Sequence, residues 1–239
     1  MLHTKKIKQT NLDELIKITG KSIVCTGGII FIGGGKTGKT HTALNLSEYE
    51  IKKNISQDEY QKLKKSVNME FNYFTNISEL NGYTIKTSSQ IFVMPGQKGR
   101  AGKGKGFAFE DAADYYFEVA PVKEVIALVL TYDMTKIKTF HDLQYWLNRA
   151  LERELFHNYT NIVILGTHLD HRNELVVNDD MVKNAKRFIK DFIREKTGKK
   201  YYLNRIHSAY VSNTNQDGLE LMKKAIDYSF YSAFNLRKL

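Results

Sequence analysis

The segment G-I-I-F-I-G-G-G-K-T-G-K-T at positions 28–40 is the most informative part of the chain, because an apolar run leads directly into a glycine-rich loop. Positions 33–40 match the pattern G-x-x-x-x-G-K-[ST] in full. Such a loop binds phosphate when a strand precedes it and a helix follows, since backbone N–H groups and the positive end of the helix then surround the anion. The sequence therefore predicts a strand, a phosphate-binding loop and a helix in that order. The alternative is a flexible glycine-rich turn with a chance lysine.

Two side chains of this loop have defined chemical tasks. Lys39 is placed to reach the β- and γ-phosphates of a nucleotide, and the hydroxyl of Thr40 is placed to bind Mg²⁺. The motif by itself fits an ATPase, a kinase or a GTPase. The identity of the base must therefore come from other segments.

The composition of the 239 residues is that of a globular protein. Cys25 is the only cysteine, which excludes an internal disulfide and fits a reducing compartment. No run approaches the roughly 18 to 20 apolar residues that a membrane helix needs. The carboxyl end has no prenylation cysteine, and position 2 is Leu2 rather than the glycine that myristoylation requires. We therefore expect a cytoplasmic protein without a lipid anchor.

The formal net charge of +10 would attract a polyanion of any kind. Basic residues are denser at 98–105 and at 183–200. The second run alternates with apolar residues at helical spacing and is interpreted as a solvated helix face. The first run is interpreted as a solvated glycine-rich loop, with a charge donor to the γ-phosphate or a contact for an acidic partner as alternatives. Aromatic residues do not interleave with these charges, so we do not expect nucleic acid as a partner.

Strand-like and helix-like segments alternate along the chain, which predicts an α/β fold with a mostly parallel, six-stranded sheet flanked by helices. The predicted strands are 28–33, 67–77, 83–94, 125–132, 161–166 and 206–211, and the predicted helices are 39–53, 139–156, 180–196 and 218–230. The pair Asn81-Gly82 predicts a type I′ hairpin turn. Residues 1–26 are interpreted as an N-terminal extension and residues 27–239 as one domain.

Two later segments indicate which base is bound. The stretch G-T-H-L-D at 166–170 resembles the [NT]-K-x-D motif of the Ras superfamily, with His168 in place of the lysine. A carboxylate at Asp170 can accept two hydrogen bonds from guanine that adenine cannot offer, although a turn or capping aspartate is the alternative. The stretch S-N-T-N-Q-D-G at 212–218 looks like the S-A-K-x-x-x-G segment, whose backbone supports the guanine O6 in that superfamily.

A stretch between these motifs is also similar to the same superfamily. T-Y-D-M-T at 131–135, T-F at 139–140 and W-L at 146–147 resemble the Y-D-x-T…S-F…W-L stretch of Ras and Rab proteins. The motifs follow the family's order from residue 28 to about 230, so the chain resembles a small GTPase of the Ras superfamily. The resemblance implies a P-loop NTPase fold with a Ras-like G domain. It also implies GTP and GDP as ligands, Mg²⁺ as cofactor, and regulatory and effector proteins as partners.

The switch regions carry the catalytic expectation and the departures from the family. P-G-Q at 95–97 resembles the end of D-x-[PA]-G-Q, which gives Gly96 a contact to the γ-phosphate and Gln97 the positioning of the attacking water. The aspartate of that motif is replaced by Val93, for which Glu70 is a candidate substitute. S-V-N-M-E-F at 66–71 looks like the family's T-x-G-x-[DE]-F stretch, so Ser66 is a second candidate Mg²⁺ ligand or, alternatively, an ordinary strand start.

The resemblance thus implies a slow, partner-stimulated GTPase. It assigns catalysis to Gln97 and Lys39, Mg²⁺ binding to Thr40 and Ser66, and nucleotide binding to Gly33, Gly35, Lys36, Thr37, Gly38, Lys39, Thr40, His41, Gly96, Thr167, His168, Asp170, Ser212, Asn213 and Thr214. A non-hydrolysing nucleotide-bound scaffold that presents surfaces to other proteins is the second hypothesis, favoured by Val93. An ATP-using nucleic-acid motor is the third, and Asp170 argues against it.

Overall fold

The computed structural model describes residues 12–47, 70–97 and 108–238. In these residues a seven-stranded mixed sheet carries helices on both faces. The strands are β1 (Ile16–Thr19), β2 (Ser22–Gly33), β3 (Glu70–Leu80), β4 (Tyr83–Val93), β5 (Val125–Asp133), β6 (Asn161–Thr167) and β7 (Ile206–Tyr210). The helices are α1 (Lys39–Leu46), α2 (Phe109–Val119), α3 (Ile137–His141), α4 (Leu143–Glu152), α5 (Asp179–Thr197) and α6 (Leu219–Ala233).

The order of strands across the sheet is β3-β4-β2-β5-β6-β7. The pairs β2–β4, β2–β5, β5–β6 and β6–β7 are parallel, whereas β3 runs antiparallel to β4 at the edge. β1 forms an antiparallel hairpin with the first part of β2. The chain therefore leaves β2 toward one side of the sheet and later returns to its other side. Ligands of open α/β sheets bind at such a switch point, beyond the carboxyl ends of the strands.

Two apolar clusters hold the helices on the sheet. Ile30, Leu128 and Tyr116 belong to the cluster that also contains residues of α2, α4 and α5, and Phe31 and Val129 belong to the one that contains residues of α1 and α6. All nine residues of β5 are buried, and successive residues such as 128 and 129 enter opposite clusters because side chains alternate along a strand. This double coverage explains the continuous apolar run at 125–132.

The predicted α/β class and the mostly parallel sheet are confirmed. Asn81 and Gly82 have φ values of 52° and 80°, as the predicted type I′ hairpin turn requires. The prediction of β2 was too short, because the strand begins at Ser22 and its early residues Ile23 and Cys25 are fully buried. The boundary placed at residue 26 therefore falls inside β2.

Two elements were not predicted, and two predicted helices differ. The helix predicted at 39–53 ends at Leu46, because Ser47 takes an extended conformation, and residues 48–53 lie outside the described part of the chain. β1 and α2 were both missed, although Ala112, Ala113 and Tyr116 of α2 are buried at helical spacing. The predicted helix at 139–156 is divided into α3 and α4, and it ends at Glu152. Glu154 then adopts a left-handed φ of 55°, which an α-helix cannot continue through. None of the helices in the described ranges is long and apolar enough to cross a membrane.

Candidate functional site

The glycine-rich segment forms a loop between the end of β2 and the start of α1. Lys36 and Gly38 adopt left-handed φ values of 64° and 79°, which turn the backbone sharply ahead of Lys39. Gly33 has a φ of 148°, and a methyl group there would lie 2.2 Å from the carbonyl oxygen of Thr131 on β5. Glycine is therefore required at this position, both for conformation and for space. The predicted order of strand, loop and helix is present.

The ammonium group of Lys39 lies inside this loop. Its Nζ donates hydrogen bonds to the carbonyl oxygens of Gly33 at 2.9 Å and Gly34 at 2.7 Å, and only 7% of the residue is exposed. The hydroxyl of Thr37 donates to the same carbonyl of Gly34 at 2.9 Å. The first turn of α1, which also contains Thr40 and His41, has no acidic residue. A buried cation and the positive end of a helix therefore act together, which favours an anion at this place.

The segment that follows β4 packs against the loop. The backbone N–H of Met94 donates to the carbonyl oxygen of Phe31 at 2.9 Å and so continues the pairing of β4 with β2. A methyl group on Gly96 would lie 2.5 Å from both the carbonyl carbon of Gly34 and the nitrogen of Gly35. This backbone-to-backbone approach places Gly96 directly beside the phosphate loop. Gln97, the next residue, is half-buried.

The loops that follow β6 and β7 are tied to the phosphate loop by hydrogen bonds. The buried hydroxyl of Thr167 donates to the carbonyl oxygen of Thr37 at 2.9 Å. The side chain of Asn213 donates to the carbonyl oxygen of Gly38 at 3.3 Å and accepts from the hydroxyl of Thr42 on α1 at 2.9 Å. Four segments that are far apart in sequence therefore meet at the carboxyl edge of the sheet.

Asp170 lies partly exposed in the loop after β6. Its pKa is lowered: burial works to raise it, but a hydrogen bond with the side chain of Ser212, its own backbone N–H and the nearby His171 outweigh that effect. The carboxyl group is therefore ionised at neutral pH and acts only as an acceptor. Ser212 also accepts hydrogen bonds from the backbone N–H groups of Thr214 at 3.2 Å and Asn215 at 3.3 Å, so one hydroxyl organises this loop around the carboxylate.

His168 stands where the resembling motif has lysine. Its Nδ1 lies 3.0 Å from the hydroxyl of Thr167 and 3.3 Å from a carboxylate oxygen of Asp133. Burial lowers the pKa of His168, with Lys136 adding to the effect and Asp133 opposing it, so the ring is neutral at neutral pH. The position thus carries a heteroaromatic ring on a left-handed backbone, with a φ of 64°, instead of a flexible cation.

Asp133 is the residue whose part in the site the sequence did not reveal. It is fully buried at the end of β5, where its carboxylate accepts hydrogen bonds from the N–H and hydroxyl of Thr135 and from Lys136. Burial works to raise its pKa, but these hydrogen bonds lower it on balance. The resemblance assigned only a structural role to the T-Y-D-M-T stretch. Its contact with His168 could not be found from the sequence, because Asp133 ends β5 and His168 lies in the loop after β6.

Some predicted residues lie outside the described part of the chain or are described only in their backbone. Ser66 and the basic run at 98–105 lie outside it. Glu70 begins β3 directly opposite Val93 in the ladder. Val93 itself is 3% exposed and belongs to the apolar cluster under α1 and α6. Within residues 12–47, 70–97 and 108–238, no group of three or more His, Cys, Asp or Glu side chains is placed to hold a metal ion.

Comparison of the sequence with protein-family models and with curated proteins finds no match. The candidate site must therefore be interpreted from its own chemistry. One end of it offers a buried lysine and a helix N-terminus. The other end offers an ionised carboxylate beside a neutral ring. This arrangement suits a ligand that joins a phosphate chain to a base with hydrogen-bond donors.

Proposed function

We propose that this protein is a guanine-nucleotide switch of the Ras superfamily that binds GTP and GDP with Mg²⁺ and hydrolyses GTP slowly. The observation that carries the proposal is the packing of three other motif segments against one phosphate loop. These contacts are the hydrogen bond from Thr167 to Thr37, the hydrogen bond from Asn213 to Gly38, and the close approach of Gly96 to the loop. A chance glycine-rich turn has no reason to gather these motifs.

The sheet supports the proposal. A mostly parallel sheet with helices on both faces is compatible with a P-loop NTPase fold and a Ras-like G domain. The loop lies at the carboxyl end of β2, where the chain connections diverge to the two sides of the sheet. The nucleotide would lie across the ends of β2, β5, β6 and β7.

The phosphates would be bound by the loop amides and by Lys39. In the structure Lys39 donates to the carbonyls of Gly33 and Gly34, so nucleotide binding would require the ammonium to exchange these acceptors for phosphate oxygens. A phosphate oxygen carries a full negative charge, so it attracts the ammonium of Lys39 more strongly than a neutral carbonyl oxygen does. The loop is thus held in shape by a contact that a nucleotide can replace.

The described residues fit Mg²⁺ only in part. The hydroxyl oxygen of Thr40 at the start of α1 is a suitable hard ligand, and the phosphates themselves supply further oxygens. When bound, Mg²⁺ neutralises charge on the phosphates. Val93 removes the carboxylate that the family motif has, so Thr40 and, by resemblance, Ser66 would be the ligands from this chain.

Asp170 would select guanine. Its ionised carboxylate can accept from the ring N–H and the exocyclic amine of guanine, whereas adenine presents an unprotonated ring nitrogen at the corresponding place. Leaving an ionised carboxylate without donors costs more free energy than an ordinary neutral hydrogen bond contributes. The preference for guanine over adenine should therefore be large. His168 would present a neutral ring toward the base where the family has a lysine stem.

Gln97 would orient the attacking water at the γ-phosphate. Its position one residue beyond Gly96 brings it to the phosphate end of the site. Slow hydrolysis with stimulation by a partner is expected, because Lys39 is the only cation of the described loop that is buried against the phosphate position.

A non-hydrolysing scaffold is the second candidate function, and Val93 is the observation that favours it. The side chain is part of an apolar cluster, so it supplies no group to a metal or to water. A scaffold would bind guanine nucleotides through the same residues but would not turn GTP over.

The proposed base recognition is tested by Asp170→Asn. The variant should lose affinity for GTP and gain affinity for xanthosine triphosphate, because the amide presents a donor where xanthine has an acceptor. Asp111→Asn is the matched control, since Asp111 is exposed on α2 and is not among the residues assigned to nucleotide binding. A variant that keeps the wild-type preference among GTP, ATP and xanthosine triphosphate would exclude Asp170 as the selecting residue.

A further inference from the structure

A second cavity lies at the opposite edge of the sheet from the phosphate loop. It has a volume of about 350 Å³, and its walls include Glu124 and Tyr159, which lie next to the amino ends of β5 and β6. The nine residues of β5 separate this edge from the carboxyl edge by roughly 25 Å. The cavity is therefore distinct from the site proposed for the nucleotide. Its size falls within the range of about 300 to 1,000 Å³ found for small-molecule sites.

Glu124 is the unusual member of this cavity. It is 4% exposed, and in the described part of the chain its carboxylate has neither a hydrogen bond nor an ion pair. Its backbone is fixed, because its carbonyl oxygen accepts a hydrogen bond from the N–H of Gly28 at 2.7 Å. Its carboxylate oxygens keep some exposure and open onto the cavity, so a cation bound there would supply the partner that this mostly buried carboxylate lacks.

No side chain in the described part of the chain forms an ion pair with Glu124, although Lys123 lines the same cavity. His157 lines the same cavity, but burial lowers its pKa although Glu124 opposes the shift, so its ring is neutral at neutral pH. Lys196 also lines the cavity, and its Nζ lies 5.6 Å from the ring centre of Phe192. Burial raises the pKa of Tyr159, with the charge of Glu124 adding to the effect, which indicates that the carboxylate and this cavity-lining ring are close.

The other walls are partly apolar and aromatic, and Lys123, Glu154 and Thr197 also line the cavity. Phe117 and Phe156 line the cavity, and the ring of His157 is stacked on that of Tyr159 with centroids 5.3 Å apart and planes at 26°. Aromatic faces attract cations, and apolar walls bind an apolar body. An anionic ligand could contact Lys123 or Lys196, but it would leave the carboxylate of Glu124 without a partner.

We propose that this cavity is a binding site for a small organic cation, in which an ammonium group pairs with Glu124 and an apolar or aromatic body lies against Phe117 and Phe156. The ammonium supplies the hydrogen-bond donors that the buried carboxylate lacks. The site is independent of nucleotide binding, since no residue of the phosphate loop contributes to it.

The test uses phenethylamine as the probe, with phenethyl alcohol and phenylacetate as neutral and anionic compounds of similar shape. Each is titrated into the full-length protein by isothermal titration calorimetry at neutral pH. A ligand of this size is expected to bind with a Kd on the order of 1 mM. The amine should bind at least tenfold more tightly than the alcohol, and the acid should not bind.

Glu124→Gln should weaken amine binding at least tenfold while leaving the weak affinity for the alcohol unchanged. Glu154→Gln is the matched control, because Glu154 also lines the cavity but is exposed, and its effect should be under about twofold. Equal binding of amine and alcohol, or an amine affinity unaffected by Glu124→Gln, would overturn the proposal. If Glu124→Gln does not fold, Glu124→Asp keeps the charge but withdraws it by one methylene. An unchanged amine affinity in that variant would also overturn the proposal.

Discussion

The contact between Gly96 and the phosphate loop can be tested by adding a single methyl group. In Gly96→Ala the new carbon would lie 2.5 Å from the carbonyl carbon of Gly34 and the nitrogen of Gly35, and 2.7 Å from the carbonyl oxygen of Gly34. The optimal separation of such atoms is about 3.5 to 4.0 Å, so the backbone segments must separate by about 1 Å. All three contacts are to backbone, and none can be relieved by a side-chain rotation.

Gly35→Ala is the matched control on the other side of the same contact. A methyl group there would lie 3.6 Å from the carbonyl oxygen of Gly96, which is an ordinary contact, and Gly35 does not have a left-handed φ. Replacing glycine at a compatible position stabilises a protein by about 0.4 to 1 kcal/mol, because the unfolded chain loses freedom. Overpacking at Gly96 should instead lower the free energy of unfolding by about 1 to 3 kcal/mol. The two substitutions are therefore expected to change the free energy of unfolding in opposite directions.

Urea unfolding measures both effects. Trp146 is the only tryptophan and is 1% exposed, so its fluorescence reports loss of the core. GTP affinity should also fall in Gly96→Ala, since the displaced loop amides no longer match the phosphates. Equal changes in unfolding free energy for the two variants, or a more stable Gly96→Ala protein, would refute the close packing of residues 95–97 on the loop.

Three further results are expected. Lys39→Ala should abolish GTP binding or weaken it severely. Lys36→Ala removes an exposed lysine of the same loop but keeps its backbone N–H, so it should have a much smaller effect. Equal losses in equilibrium titrations would mean that total loop charge matters rather than the buried ammonium. Gln97→Leu should lower GTP turnover at least tenfold, which corresponds to about 1.4 kcal/mol of barrier, with GTP affinity nearly unchanged. A wild-type protein that binds GTP tightly but shows no turnover, with or without this substitution, would favour the scaffold function. Burial raises the pKa of Asp227 to about 6, so its contribution to stability is greatest at acidic pH and declines as pH rises through 6. Asp227→Asn can keep the hydrogen bond from Asn76, and it should raise the free energy of unfolding by up to about 3 kcal/mol at pH 8 but only slightly at pH 4. Equal effects at both pH values in urea titrations would contradict this.

Much of the fold could be predicted because single segments carry strong local signals. The apolar run at 125–132, the Asn81-Gly82 turn and the loop ahead of Lys39 each have a pattern that few other structures satisfy. The missed hairpin strand β1 has three of its four residues exposed and alternates weakly, so its pattern resembles that of a loop. The early part of β2 was missed because alternation over 22–26 was too short to separate from irregular structure.

The site was predictable in its residue types but not in its contacts. Motif spacing located the loop and Asp170, because chemistry ties those residue types to phosphate and base recognition. Spacing says nothing of distances between strands, so the contact of His168 with the buried Asp133 was not foreseen. The environment of Val93 was likewise unknown until the apolar cluster around it was seen. The cavity beside Glu124 had no motif, because its walls come from several helices and loops.

The central claim is that a carboxylate at Asp170 selects guanine for a nucleotide whose phosphates lie on the loop at Lys39. Its most direct test is the affinity of the wild-type protein for GTP and for ATP, measured side by side at equal Mg²⁺ concentration by competition against a fluorescent nucleotide. We predict a preference for GTP of at least about 100-fold, since adenine would leave the ionised carboxylate without donors. Equal affinities for GTP and ATP would contradict the guanine-nucleotide function while leaving the phosphate loop intact.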